Sequence, residues 1–247
     1  MKRIVILQPG YLPWLGFFDQ LVRATEFIIY DDVQYDRRGW RNRNRIKGPE
    51  GPVWLTVPVV QKGLFHQRVN ETRIDNSSDW AARQVRTLSR NYAKAPYFDD
   101  LFPALSAILT QTWDLLIDLD MALIHLIAQQ IGINTPLRYS SELPQEGGKT
   151  GRLIEICLAT GADTYLTGNA AKGYIDEDAF RSAGITLEYQ NYQHPTYRQR
   201  FGDFIPYLSA VDLVFNEGPA SLIILSNTAG GTRSEIEEKG SDNHAGD

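Results

Sequence analysis

Two short apolar runs bracket the first turn of this chain. RIVIL (3–7) and EFIIYDD (26–32) flank FFDQLVRAT (17–25), whose apolar positions recur at helical spacing. Runs of that length, rich in β-branched residues, read as strands buried on both faces. Strand, helix and strand in this order make a β-α-β unit, and its crossover is right-handed and its strands parallel. That unit constrains the fold more than any other feature. The alternation resumes late in the chain with LRYSSEL (137–143), a helix over 150–160, TYLTG (164–168), a helix over 176–183, TLEYQNY (186–192) and a last helix near 203–213. In between, VWLTVPVV (53–60) reads as a third strand, followed by helical stretches over 79–95, 98–112 and 114–133. The expectation is one α/β domain over 1–226 with a mostly parallel, Rossmann-like sheet and a helical insertion at about 79–133. Residues 227–247 are rich in Gly, Ser and charge, and the pattern predicts a disordered tail.

In open α/β sheets, ligands bind beyond the carboxyl ends of the strands. Three dense polar segments follow expected strands. QPGYLPWLG (8–16) offers Gln8, Tyr11 and Trp14, with glycines that let a ligand approach the backbone. YDDVQYDRRGWRNRNRIK (30–47) offers the carboxylates Asp31 and Asp32, then Trp40, Arg41, Asn42, Arg43, Asn44 and Lys47. Arginine forks match phosphate oxygens, and an aromatic beside them can stack on a ring. The third segment combines TGNAAKGYIDED (167–178) with NYQHPTYRQR (191–200), offering Gly168, Lys172, His194 and Tyr197. Among four histidines, His66 falls in a loop, His125 on an apolar helical stretch and His244 in the tail. His194 lies just past a strand and is the best-placed general base. Gln8, Asp31, Gly168 and His194 are expected to meet in one cleft.

Net charge decides what kind of anion the basic run suits. The 247-residue chain carries a formal charge of −5, which argues against a nucleic-acid binder. A local basic run on an acidic protein suits a small phosphate-bearing molecule better than a polymer. The single cysteine, Cys157, permits no intrachain disulfide. The start, MKRIVILQPGY, lacks the apolar length of a signal peptide, and no apolar run is long enough for a membrane span. A cytoplasmic protein without membrane insertion is expected. There is no P-loop, no GxGxxG, no HExxH, no GxSxG and no cysteine metal cluster, so the sequence identifies neither a metal nor a cofactor.

Several long motifs resemble one family. QPGYLPWLGFFDQL, FIIYDDVQYDRRGWRNRNRIK with WLTVPV, ADTYLTGNAAKGYID and QHPTYRQRFGDFIPYLSAVDLVFNEG are similar to the WbqC-like family, from about residue 4 to residue 222. The resemblance implies a setting in bacterial surface-polysaccharide (O-antigen) synthesis and sugar modification, and brings no catalytic set with it. A second, shorter resemblance concerns the first β-α-β unit, which looks like that of nucleotidylyltransferases and pantothenate synthetases. Their HxGH motif would fall on Trp14-Leu15-Gly16-Phe17, where only the glycine matches. The missing histidines argue against nucleotidyl transfer while leaving a phosphate-friendly cleft. The reading is a transferase acting on a nucleotide-activated amino sugar by N-acyl or aminoacyl transfer. Its catalytic candidates are His194, Asp31 and Asp32. The alternatives are a nucleotidyltransferase-like enzyme with an altered motif and a non-catalytic nucleotide-sugar-binding protein.

Overall fold

A computed structural model describes residues 1–37, 39–144 and 148–227. Five strands form a single parallel sheet: β1 (Arg3–Leu7), β2 (Glu26–Ile29), β5 (Leu137–Tyr139), β6 (Thr164–Thr167) and β7 (Thr186–Tyr189). Their order across the sheet is β5-β2-β1-β6-β7. The chain builds outward from β1 in one direction, then crosses back to β1 and builds in the other. The switch therefore lies between β1 and β6, where such sheets open a crevice.

Alternation along the strands explains why both faces are covered. Ile4, Ile6, Ile28 and Tyr165 point to one face and pack against α5 (Thr150–Thr160) and α6 (Glu177–Ser182). Val5, Phe27, Ile29 and Leu166 point to the other, larger core. That core also takes in α1 (Leu15–Arg23), the insertion helices α2 (Trp80–Tyr92), α3 (Phe98–Leu109) and α4 (Leu116–Ile131), and the C-terminal α7 (Ala210–Glu217) and α8 (Ser221–Ser226). Helix α4 ends at Gly132, whose φ of 89° is a left-handed cap that a side chain would strain.

One expected strand takes a different role. Residues 53–60 do not join the main sheet. Gly51–Thr56 is β4, and it pairs antiparallel with β3 (Arg43–Gly48), the second half of the basic run. Only Pro49 and Glu50 join the two, and a link that short permits only a hairpin. The helix expected near 203–213 also begins later, as α7 at Ala210, because 190–209 runs without helix or strand, and α8 follows it. His125 is exposed on α4 rather than in the core. Apart from Asn227, the tail lies outside the described residues. Among the described residues no helix is long and apolar enough to cross a membrane.

Candidate functional site

The loop after β1 is held from three sides. Tyr11 N donates to Arg41 O at 2.9 Å, and Asn44 Nδ2 donates to Leu12 O at 2.7 Å. These bonds fix Leu12 at a φ of 43°, a conformation a branched side chain rarely adopts. From the other side Ala210 N donates to Pro13 O, and Ser209 N donates to Arg45 O on the hairpin, both at 2.8 Å. The Trp14 ring folds back over α1, where a Cβ on Gly16 would lie 2.3 Å from it. That contact is why a glycine stands at this position.

These ties enclose a cavity of about 370 Å³ over the carboxyl end of β1. Its walls include Gln8, Trp14, Trp40, Arg41, Asn44, Arg45 and Tyr207, with Leu7, Gly10, Pro13 and Phe17. Several polar atoms there are buried without a partner: Gln8 Oε1, Arg41 Nε and Arg45 Nε. Buried polar atoms of this kind are costly unless something satisfies them. Arg41 Nη1 donates to Gln8 O at 2.9 Å and Pro9 O at 3.1 Å. Behind it, inside the protein, lies Asp120 of α4. Burial holds the Asp120 carboxyl well above the usual carboxylate range, and the Arg41 charge pulls the other way.

The sequence candidates divide into separate clusters. Gln8, Trp14, Trp40, Arg41 and Asn44 meet in the cavity. Tyr11 is fully buried and its hydroxyl donates to Gln84 Oε1, so it belongs to the core. Asn42 is buried and donates to Val57 O at 2.8 Å. Arg43 is half-buried, its guanidinium 5.2 Å from the Trp54 ring centre, and it does not line the cavity. Asp31 accepts from Ser141 N, Ser141 Oγ and Asn70 Nδ2, the one Ser140 hydroxyl proton is shared between Asp31 Oδ1 at 2.9 Å and Asp32 Oδ1 at 2.6 Å, and Asp32 pairs with Arg152. Both carboxylates are buried and committed to holding β5 and α5 beside β2. Gly168 sits next to Gln20, which reaches Gln190 at the end of β7. Lys172 is exposed and lies 4.8 Å from the Tyr189 ring.

Lys47 and Tyr197 belong to a buried bracket. Lys47 Nζ donates to Gln199 Oε1 and Asp203 O. Tyr197 and Tyr92 both donate to Asp212, at 2.9 and 2.6 Å, and burial raises the Asp212 carboxyl above its ordinary range. His194 stands one ring behind the cavity wall, its centre 5.1 Å from Tyr207, with Tyr192, Tyr197 and Phe204 around it. Its Nδ1 lies 2.8 Å from Pro195 O, so Nδ1–H donates there and Nε2 keeps a lone pair. Nε2 is buried without a partner, and burial lowers the imidazole from its ordinary value. Of the four residues expected in one cleft, only Gln8 lines the cavity. Their strand ends do share one edge of the sheet.

Of the polar and aromatic wall residues, Tyr207 escaped the sequence reading, whereas Arg45 belongs to the basic run. Arg45 continues the alternation of Arg41 and Arg43, which is a readable signal. Tyr207 had none, because it reaches the cavity only through the backbone ties of Ser209 and Ala210. Its φ of 60° is one of five positive values at non-glycine residues among the described residues. Among the described residues no group of three or more His, Cys, Asp or Glu could hold a metal ion.

Comparison with known proteins adds context. The chain is 41% identical over 220 residues to the uncharacterized protein Rv1507c of Mycobacterium tuberculosis, covering 88% of this chain and 95% of that one. It is 28% identical over 169 residues to a UDP-N-acetylmuramate–L-alanine ligase of Paracidovorax citrulli, covering 65% of this chain and 34% of the ligase. No solved structure matches the chain. The profile of the WbqC-like protein family matches residues 8–224, and with that span the chain belongs to the WbqC-like family.

Proposed function

We propose that this protein is a transferase acting on a nucleotide-activated amino sugar in surface-polysaccharide synthesis, by N-acyl or aminoacyl transfer. The cavity over β1 carries the reading, because it combines aromatic walls, two guanidinium groups and a buried, unpaired amide oxygen. Its volume lies within the roughly 300–1,000 Å³ of small-molecule sites. Membership of the family fits a polysaccharide-related role. The ligase relative is named for a nucleotide-linked sugar acid and an amino acid, which is in line with aminoacyl chemistry over the part that matches.

In this reading Arg45 and Arg41 hold the phosphates, Trp14 or Trp40 stacks on a ring, and Gln8 Oε1 accepts from a hydroxyl or amide. The sugar amine attacks the acyl carbonyl, the bond from that carbon to the donor's leaving group breaks with its electron pair going to the leaving group, and His194 Nε2 takes the proton the amine loses. The lowered imidazole stays neutral near pH 7 and keeps that lone pair available. Tyr207 stands between His194 and the cavity, so the proton reaches Nε2 only if the Tyr207 ring moves aside. Asp31 and Asp32 are left with a positioning role. Calorimetric titration against nucleotides and UDP- or dTDP-linked amino sugars tests the reading. Binding of a nucleotide sugar tighter than its free nucleotide is expected. No binding across the panel would sink it, and tight binding without turnover in any acyl-donor assay would favour the non-catalytic alternative.

A further inference from the structure

Large apolar side chains stand exposed before, on and after the β3–β4 hairpin, and one of them, Trp40, lines the cavity. Phe65 is 67% exposed, Trp54 49%, Trp40 47% and Leu64 42%. They are held in place by built contacts. Leu64 N donates to Gln61 O at 3.1 Å in a turn containing Gly63, and Arg37 lies 4.6 Å over the Phe65 ring while donating to Gln61 O and Leu64 O. Three residues beyond Arg37, Trp40 stacks on Trp54 at 5.1 Å, with Arg45 5.2 Å from Trp40. Arg37 thus ties the Leu64–Phe65 tip to the chain segment that carries, three residues on, the Trp40 of the cavity wall. Among the described residues of 33–73, the basic side chains that are exposed or half-buried are Arg37, Arg41, Arg43, Arg45, Lys62, Arg68 and Arg73, against the exposed acids Asp36, Glu50 and Glu71.

We infer that this rim docks on an anionic lipid bilayer, bringing the cavity mouth to the membrane surface. An apolar loop tip between Lys62 and Arg68, next to tryptophans under arginines, has the composition that settles at the bilayer interface. Basic side chains near such a surface gain from its negative potential. Trp40 and Trp54 stack on each other, and the Arg43 and Arg45 guanidinium groups lie against them. The inference goes beyond the proposed chemistry and does not depend on it.

Sedimentation with vesicles of mixed phosphatidylglycerol and phosphatidylethanolamine, against pure phosphatidylcholine vesicles, tests it with the whole chain. The protein is expected to sediment with the anionic vesicles, poorly with the neutral ones, and less at high salt. Leu64→Ser with Phe65→Ser should weaken partitioning by about tenfold or more, and Lys62→Glu should weaken it less. Both sites are exposed, and thermal melts of the variants check that they fold. Absence of binding to anionic vesicles overturns the proposal, as does equal binding by the double variant. A wild-type dimer that the double variant splits, with no lipid binding, would assign the rim to self-association and also overturn it. Nucleotide-sugar titration without lipid reports on the cavity separately, so either reading can fail alone.

Discussion

Arg45 and Lys47 sit two positions apart on β3 and show how context sorts like charges. Strand alternation points both to one side of the hairpin. Arg45 reaches the cavity with Nε unpaired, whereas Lys47 is 1% exposed and tied to Gln199 and Asp203. Their substitutions should therefore separate binding from stability. Arg45→Ala should weaken nucleotide-sugar affinity about ten- to hundredfold, as loss of a charge-assisted bond does, with melts little changed. Lysine at 45 should rescue only in part, because it lacks the planar fork. Lys47→Met should leave Gln199 Oε1 and the Asp203 carbonyl without their buried donor and lower stability by about 1–3 kcal/mol, read from urea unfolding. If Arg45→Ala unfolds the chain and Lys47→Met abolishes binding alone, the two roles are reversed.

At the scale of elements, the β3–β4 hairpin is the roof of the cavity, and Asn44 is its bolt. The Asn44 amide reaches across to Leu12 O and holds the strained loop after β1. Asn44→Ala should cost about 1–3 kcal/mol through the unsatisfied carbonyl and also weaken ligand binding, since the β1 loop carries Gln8 and Trp14. A variant with lost stability and wild-type affinity would show that the loop keeps its shape without the bolt. The hairpin also shows why a strand could be read from the sequence and still be misplaced. The residues of 53–60 do favour extended backbone. Their partner, however, was set by the two-residue link at Pro49–Glu50, which forces antiparallel pairing with the basic run.

For the whole molecule, buried titratable groups pull stability in opposite directions with pH. The His194 imidazole is lowered by burial, so the unfolded chain binds its proton more readily. Its contribution is complete above the unfolded value, about 6.5, and is lost as pH falls toward the lowered one. Asp120 is raised by burial, so its contribution is present at acid pH and lost as pH rises through the raised value. His194→Gln should flatten the loss of stability below about pH 6.5, and Asp120→Asn should raise the melting temperature more at pH 8 than at pH 5. Denaturant melts across that range check both, and an unchanged acid slope in His194→Gln would show that other groups set it.

The sequence by itself determined the layered α/β plan. RIVIL, EFII and TYLT are apolar on both faces and can be buried only in a covered parallel sheet. It also marked the loops after those strands as polar and rich in candidate chemistry, because strand ends are punctuated locally by Pro, Gly and charge. Which polar side chains meet was decided by tertiary structure. Asp31, Lys47 and Tyr197 look as available in the sequence as Gln8 and Trp40. Whether such a group faces a cavity or a buried partner depends on Ser140, Gln199 and Asp212, all remote in sequence from Asp31 and Lys47. No local pattern encodes those contacts, since each forms only when distant segments pack and water is excluded between them.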